Sequence, residues 1–314
     1  MRTSLAPPWA LILAGGDGTR LRPLTRQIAG DQRPKQFCPL VDGDSLLDRT
    51  RRRVDLVTRL DQQVIVVTAA HEPYYRNLQR ELAPGRLVVQ PANRGTATGV
   101  LYPLLRIRQL AGNVPVAVFP SDHYVSDDAA FAAYTWSALG VVRSRPDLVA
   151  LLGVDASTPE TEYGWIEPAE PLLSVDGEGA FSIRRFWEKP GVAMAQRLLE
   201  RGALWNSFVM VGHVDTFLRL VWDAAPDLVI ALDPLRRALG TDHEATVAGT
   251  VYATLPPLSF SERVLVPRPE RLVVVRVKGV EWSDWGNPQR VLATVHRAGW
   301  RPGWLEQVRL APAG

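Results

Sequence analysis

Short apolar runs alternate with amphipathic stretches along most of the chain. An apolar run at residues 11–14 ends in paired glycines, residues 45–60 have helical spacing, and residues 63–68 form a β-branched run. A buried strand, a loop, a helix and a second strand in this order make a βαβ unit. The pattern therefore predicts a doubly wound α/β fold, with ligands beyond the carboxyl ends of parallel strands.

The same alternation continues towards the carboxyl end. Further strands are predicted at residues 86–90, 114–119, 148–154 and 272–277. Further helices are predicted at residues 71–82, 100–109 and 129–142, over most of 217–239, and in the tail from 290. Residues 196–202 are predicted to complete another helix. We expect a less regular stretch from 239 to 258 and a polar hairpin tip at 170–180.

Composition narrows the class of protein. The 314 residues are 46% hydrophobic and 22% charged, as in ordinary globular proteins. The single cysteine, Cys38, excludes an internal disulfide framework, and together with five scattered histidines it leaves no zinc-type cluster. We expect a reducing, cytoplasmic setting. No apolar run approaches the roughly 18 to 20 residues that span a bilayer, so we expect no transmembrane segment. We also expect no signal peptide, because cleavage within residues 1–14 would destroy the glycine loop.

The net charge indicates anionic partners, and it is compatible with small phosphates as readily as with nucleic acid. The net charge is +3 and the pI is about 9.2, and the basic residues at 49–53 lack interleaved aromatic residues, as a solvated helix face does. Arginine outnumbers lysine 33 to three. Such a chain is expected to keep Lys35, Lys189 and Lys278 mostly where a compact ammonium is needed.

The glycine-rich loop at residues 15–20, G-G-D-G-T-R, is the first candidate site. Its glycines let backbone N–H groups approach a phosphate, and Arg20 adds a planar charge for phosphate oxygens. The spacing fits neither a Walker loop nor a dinucleotide fingerprint. By itself the loop is equally typical of an unliganded turn from strand to helix.

Three later polar segments have alternative interpretations. Asp122 follows a predicted strand, where a carboxylate can bind Mg²⁺ or simply begin the next helix. The loop from Gln90 to Gly99 can bind a ligand or cap a helix through Thr96 or Thr98. The pair Glu188 and Lys189 taken alone is an ordinary surface pair.

The motifs together resemble a known family. G-G-D-G-T-R-L-R-P-L-T-R, P-K-Q-F and S-L-L-D-R-T are similar to the opening of the sugar-1-phosphate nucleotidyltransferases, in particular the mannose-1-phosphate guanylyltransferases. P-S-D-H, Y-G-W-I-E, W-E-K-P, W-N-S and W-S-D-W-G follow in the family's order. The resemblance covers residues 8–290 and implies a Rossmann-like, GT-A-like, mostly parallel sheet with helices on both faces. A short helical extension, 291–314, is too small for the cupin isomerase domain of bifunctional relatives.

The resemblance assigns roles to residues of this chain. Its catalytic residues would be Arg20, Lys35, Asp122 and Asp284, and the two aspartates would hold Mg²⁺. The nucleotide-binding residues would be Gly15, Gly16, Gly18, Thr19, Gln90, Gly95 and Thr96, and the sugar-phosphate-binding residues would be Gly164, Glu188, Lys189 and Asn206. The implied partners are a nucleoside triphosphate and a sugar-1-phosphate, without nucleic acid or membrane, and the chain could form a homodimer.

Several positions depart from the family pattern. In the base-reading loop, Gln90 stands where the family has a glutamate, Gly95 where it has an asparagine, and Thr98 where it has a proline. Elsewhere, Glu162 and Phe208 replace glycines, and Ser261 replaces an aspartate. Asn287-Pro288 replaces the family's Ser-Trp. The resemblance favours GTP and mannose-1-phosphate, with release of pyrophosphate. Two alternatives stay open: the same chemistry with glucose-1-phosphate and another triphosphate, or a regulatory homologue that binds nucleotide-sugars without turnover.

Overall fold

Strands make up the centre of the molecule. The computed structural model describes residues 7–41, 43–175, 178–306 and 308, and within them it contains eleven strands. In chain order these are β1 (Trp9–Leu13), β2 (Gln63–Thr68), β3 (Leu87–Gln90), β4 (Pro115–Pro120), β5 (Tyr124–Val125), β6 (Val149–Asp155), β7 (Gly164–Val175), β8 (Glu178–Glu188), β9 (Leu204–His213), β10 (Leu272–Val277) and β11 (Trp282–Ser283).

Nine of these strands form one sheet in the order β3-β2-β1-β4-β9-β6-β10-β8-β7, and β5 pairs with β11 in a second, small sheet. Within the large sheet, β8 and β9 run antiparallel to the other seven strands. This arrangement confirms the predicted, mostly parallel sheet.

Helices cover both faces of the large sheet. The described ranges contain α1 (Arg22–Ala29), α2 (Leu46–Asp55), α3 (Glu72–Tyr75), α4 (Leu78–Glu81), α5 (Gly95–Ala111), α6 (Asp128–Ser144), α7 (Val192–Glu200), α8 (Val214–Ala224), α9 (Pro226–Ala238), α10 (Glu244–Thr254) and α11 (Pro288–Arg297). Leu11 of β1 packs in a core with Leu104 of α5, whereas its neighbour Ile12 packs in a second core with Leu139 of α6. Alternate strand residues thus enter opposite cores, which confirms the doubly wound prediction.

The agreement with the predicted bounds varies along the chain. The strands β2 and β10 have the predicted limits. The helix predicted at 45–60 ends at Asp55, the one predicted at 71–82 forms the two short helices α3 and α4, and α5 begins five residues before the predicted 100. The N–H of Ala97, in the first turn of α5, donates to the main-chain oxygen of Leu258 (3.0 Å). A contact this distant in sequence has no local signal.

Several elements were not predicted, and one region is more helical than expected. The strand β9 was not predicted, and the stretch from 239 to 258 expected to be less regular contains α10. The region predicted to be mostly helical, 217–239, is divided between α8 and α9. The break falls at Ala225, as expected for the residue before a proline. The predicted hairpin is formed by β7 and β8, and residues 176–177 of its tip lie outside the described residues.

The large sheet forks along one edge of β9. There β4 pairs with residues Met210 to His213 of β9, while β7 pairs with Leu204 and Trp205 of the same strand. The other edge of β9 pairs with β6. The segment between Trp205 and Met210 therefore faces an opening between β4 and β7, and this opening receives the site described below.

A third apolar cluster joins the two ends of the chain. Val291 and Val295 of α11 and Trp304 pack there with Leu24 and Cys38. The predicted boundary at 290 falls inside α11, and residues 307 and 309–314 of the predicted tail lie outside the described residues. Among the described helices, none has the length and apolar character needed to cross a membrane.

Candidate active site

A cavity of about 410 Å³ lies where β1 and β4 end and the sheet forks. This is the position expected for ligands of a doubly wound sheet. Of the residues proposed from sequence, it is lined by Gly15, Gly16, Arg20, Lys35, Gln90, Gly95, Thr96, Asp122, Gly164, Glu188, Lys189, Asn206 and Asp284. Gly18 and Thr19 line an adjoining hollow of about 220 Å³ that shares Arg20, Lys35 and Asp122 with the cavity. The fold thus brings all the proposed residues to one place.

The glycine loop is held by side chains from outside it. The Gln36 amide donates to the main-chain oxygens of Ala14 (2.9 Å) and Gly16 (2.7 Å), and the Thr68 hydroxyl donates to that of Gly15 (2.8 Å). A Cβ at Gly15 would lie 2.6 Å from Nε2 of Gln90. The loop therefore packs closely against the end of β3, as its glycine content allows.

Lys35 connects the two proposed cation ligands. Its ammonium lies 3.3 Å from the Asp122 carboxylate and donates to the main-chain oxygen of Asp284 (2.5 Å). Burial raises the pKa of the Asp284 carboxyl, but the positive charges of Lys35 and Arg290 and the neighbouring His123 outweigh it, so that the net pKa is lowered. The carboxylate of Asp284 is thereby kept ionised in the cavity.

The donor set suits a hard divalent cation. Two carboxylates line one cavity, and Mg²⁺ in nucleotide sites characteristically takes one or two carboxylates and completes its shell with water and substrate phosphates. Within the described ranges, no group of three or more His, Cys, Asp or Glu side chains could hold a metal. Asp122 and Asp284 thus fit a cation that shares its coordination with a substrate.

Two of the catalytic candidates, Arg20 and Asp284, are paired with residues that were assigned no role from the sequence. Arg20 pairs with Glu162 (2.9 Å), and Asp284 pairs with Arg290 (3.0 Å). Glu162 also lies 3.1 Å from Arg290, so one carboxylate bridges both arginines. No spacing rule links these positions, and only the departure at Glu162 from the family pattern pointed to this part of the chain.

At the end of the cavity formed by β3, a segment from the far half of the chain covers the start of α5. The Tyr252 phenol donates to Oε1 of Gln90 (3.0 Å), and the N–H of Phe260 donates to the Thr96 hydroxyl (2.8 Å). Gly95 has φ +80°, and a Cβ there would overlap the main chain of Leu258. Because α5 starts at Gly95, Thr96 and Thr98 lie inside the helix, and neither caps it.

At the opposite end, around the fork, the cavity is lined by β7, β8 and β9. Glu188 lies 3.6 Å from the Lys189 ammonium, and a Cβ at Gly164 would lie 3.0 Å from the Glu188 carboxylate. Burial raises the pKa of Glu188; the negative charge of Glu262 adds to this, and Lys189 opposes it. Phe208, where the family pattern has glycine, lines the cavity with its ring 6.3 Å from that of Phe260.

Backbone strain is concentrated beside the cavity. The three described non-glycine residues with positive φ are Lys189 (47°), Phe208 (62°) and Trp285 (44°). Such conformations cost of the order of 1 kcal/mol or more each, and they cluster at functional sites where the surrounding structure imposes them. Lys189 and Phe208 line the cavity itself, and Trp285 follows Asp284.

Comparison with known proteins agrees with this geometry. The model of the family described as nucleotidyl transferase matches residues 9–296. The xanthan biosynthesis protein XanB of Xanthomonas campestris is 30% identical over 282 residues, which are 88% of this chain and 57% of XanB. A mannose-1-phosphate guanylyltransferase of Escherichia coli is 26% identical over 287 residues, which are 90% of this chain and 60% of that protein. The chain thus spans less than two thirds of these relatives.

Solved structures share the fold. A crystal structure described as mannose-1-phosphate geranyltransferase from Thermus thermophilus superposes with a TM-score of 0.76 at 30% identity, covering 91% of this chain and 79% of that one. A UDP-glucose pyrophosphorylase complexed with UDP-glucose superposes with a TM-score of 0.56 at 16% identity, covering 92% of this chain and 97% of that one. At 16% identity the likeness concerns the fold alone.

Proposed function

The chain belongs to the nucleotidyl transferase family, and from this premise we propose that it joins a sugar-1-phosphate to a nucleoside triphosphate, giving a nucleotide-sugar and pyrophosphate. The observation that carries the proposal is the meeting of Lys35, Asp122 and Asp284 in one cavity with Arg20 at its side. Anions and a cation are the ligands that this combination of charges can hold together.

The reaction needs positioning and charge neutralisation rather than a covalent enzyme intermediate. An oxygen of the sugar-1-phosphate attacks the α-phosphorus of the triphosphate; the new P–O bond forms as the bond to the β-phosphate breaks, and pyrophosphate leaves with its electron pair. Arg20 and Lys35 lie where they can neutralise the phosphates and the departing pyrophosphate. Only Nη1 of Arg20 is paired with Glu162, so the other N–H groups of this exposed guanidinium are available to phosphate oxygens.

Asp122 and Asp284 would hold Mg²⁺, as their shared cavity and oxygen donors suggest. Bound there, the cation would supply Lewis-acid stabilisation of phosphate charge. Lys35 would also help to keep the two aspartates together, because its ammonium contacts the side chain of one and the main chain of the other.

The sugar-phosphate is assigned to the forked end of the cavity. Lys189 offers an ammonium to the phosphate, Glu188 accepts hydrogen bonds from sugar hydroxyls, and the Asn206 amide can both donate and accept. Gly164 leaves room beside Glu188. Mannose-1-phosphate is favoured because the Escherichia coli relative is a mannose-1-phosphate guanylyltransferase.

One observation favours a second candidate for the nucleotide base. GTP is favoured by resemblance and by that relative, but Gln90 stands where the guanylyltransferase pattern has a glutamate. With Tyr252 donating to Oε1, the Gln90 amide turns its N–H₂ group towards Gly15 and the cavity. Amide donors suit any base with a carbonyl at the matching edge, so uridine and thymidine triphosphates with glucose-1-phosphate form the second candidate.

A donor-by-acceptor screen tests the proposal. Pyrophosphate release is measured with GTP, ATP, CTP, UTP and dTTP, each with mannose-1-phosphate and glucose-1-phosphate, in Mg²⁺. We expect GTP with mannose-1-phosphate to be fastest, and GTP as the poorest donor would overturn that assignment. Asp122→Ala should abolish release, whereas Asp147→Ala, which removes an exposed carboxylate paired with Arg145 (2.7 Å), should not. Nucleotide-sugar binding without release in any pair would instead support the regulatory alternative.

A further inference from the structure

Arg290, at the start of α11, reaches the carboxylate of Asp284. Its Nη1 lies 3.0 Å from Oδ1 of Asp284, and the backbone N–H of Gly286 donates to the same Oδ1 (2.7 Å). Both donors thus fix one oxygen of the carboxylate. Oδ2 is then the oxygen available to a ligand in the cavity that Asp284 lines.

The guanidinium of Arg290 is itself held on several sides. Nη2 donates to Glu160 (2.5 Å), Nη1 also lies 3.1 Å from Glu162, and the guanidinium carbon stands 4.4 Å from the ring centre of Tyr163. The side chain is only 13% exposed. A planar fork with several donors can satisfy all these partners at once, and a lysine ammonium cannot reproduce that geometry.

Other contacts of α11 do not involve this side chain. Val291 and Val295 anchor the helix in the third apolar cluster, and the Asn287 side chain caps it by accepting from the N–H of Arg290 (3.0 Å). The side chain of Arg290 points instead into the acidic group next to the cavity. Its removal should therefore affect the site more than the fold.

We propose that Arg290 is a positioning residue that aims Asp284 at the divalent cation. The inference rests on the proposed function, in which Asp284 is a cation ligand. Hydrogen-bond partners that orient a ligating side chain are typically worth about 10- to 100-fold in metal affinity. Glu160, Glu162 and Tyr163 have the role of holding Arg290 in place.

The sign of the effect separates positioning from simple charge. As a nearby positive charge, Arg290 repels a cation, so removing it would tighten cation binding if charge alone mattered. If Arg290 positions the ligand, removing it weakens cation binding. The two accounts therefore predict opposite changes in the dissociation constant.

The test titrates the full chain with Mn²⁺ in the absence of substrates and follows free Mn²⁺ by electron paramagnetic resonance. For Arg290→Gln we expect a dissociation constant about 10- to 100-fold higher than that of the unaltered protein. Arg290→Lys keeps the positive charge but loses the planar fork of the guanidinium, and it should bind Mn²⁺ more weakly by a comparable factor. The matched control is Arg297→Gln on the same helix, which removes an exposed pair with Glu281 (3.0 Å) and should leave binding within about twofold.

Unchanged or tighter Mn²⁺ binding in a folded Arg290→Gln protein overturns the inference. Thermal unfolding checks the fold, and if the glutamine variant does not fold, the lysine variant decides the question by the same criterion. If the Asp284→Asn variant binds Mn²⁺ as tightly as the unaltered protein does, Asp284 is not a cation ligand. The inference about Arg290 is then overturned as well. Pyrophosphate release by the unaltered protein reports on the proposed function separately.

Discussion

The phenol of Tyr252 donates a hydrogen bond to the side-chain oxygen of Gln90 across 3.0 Å and 162 positions of the chain. Both side chains are buried, and burial raises the pKa of Tyr252, so the phenol keeps its proton and remains a donor. Tyr252 belongs to α10, a helix that was not predicted. The orientation of a proposed base-reading group is thus set by an element from the far half of the chain.

Tyr252→Phe removes this donor and frees the Gln90 amide to rotate. A lost hydrogen bond of about 1.4 kcal/mol corresponds to a tenfold change, and we expect KM for the triphosphate to rise by about that factor while KM for the sugar-1-phosphate stays the same. Steady-state kinetics measure both. Tyr102→Phe is the control, because Tyr102 donates to Glu244 (2.6 Å) and packs 6.2 Å from the Tyr252 ring. An equal rise in both variants would contradict the prediction.

Lys35→Gln should lower kcat by about 10²- to 10³-fold, because it removes a buried positive charge beside Asp122 that is proposed to neutralise the phosphates. Lys278→Gln makes the same change at an exposed lysine and should have no effect. Single-turnover pyrophosphate release compares the two. A Lys35→Gln protein that is folded and keeps more than about a tenth of the rate would exclude Lys35 from catalysis.

Glu188→Gln should stabilise the protein more as the pH rises. Burial raises the pKa of Glu188 in the folded state, so folding favours the protonated form. The stability that this group contributes is present below the unfolded-state pKa and is lost as the pH rises through the folded-state pKa. Glutamine does not titrate, so its advantage in the free energy of unfolding should be larger at about pH 7.5 than at about pH 4.

Urea unfolding at both pH values measures this trend, and the exposed Glu281→Gln, which lacks such burial, should not show it. In the same Glu188→Gln protein we expect a higher KM for the sugar-1-phosphate, because the carboxylate proposed to accept hydrogen bonds from sugar hydroxyls is gone. A stability difference that shrinks with rising pH would show that the Glu188 carboxyl is not desolvated by folding.

Gly95→Ala should be far more damaging than Gly30→Ala. The two glycines have nearly the same backbone, with φ of +80° and +78°, so both variants lose about 1 kcal/mol for an alanine in the left-handed region. Only at Gly95 would the new methyl group overlap the main chain of Leu258, whereas at Gly30 nothing lies within 4 Å. We expect a total loss of about 3 kcal/mol or more at Gly95 in denaturant unfolding. Similar losses at both sites would mean that the Leu258 segment moves aside freely.

Local patterns predicted the parts of this molecule that local sequence controls. The strands β2 and β10 consist mostly of buried β-branched residues, so their limits could be predicted directly. The motif residues Arg20, Lys35, Asp122 and Asp284 were expected to share a site, and the fold does bring them to one cavity. Their individual roles stay predictions until they are measured.

The missed features all depend on distant partners. The strand β9 mixes Trp205, Asn206 and Ser207 in a way that suggests no strand, and it becomes one by pairing with β4, β6 and β7. The helix α10 is rich in small residues and is held in the core by Val251 and Tyr252. The ties of Glu162 to Arg20 and of Arg290 to Glu160 span 142 and 130 positions, so no spacing along the chain could indicate them.

The forked edge of β9 gives the cavity two distinct walls. One wall is built from the carboxyl ends of β1 to β3, and the other from β7, β8 and β9, which the fork holds apart from β4. The two walls meet at the charged group around Lys35. Under the proposed function, substitutions on the β9 wall would mainly reshape the room for the sugar-1-phosphate. Phe208 is the exception, because its ring packs against Phe260, whose N–H donates to Thr96 on the other wall.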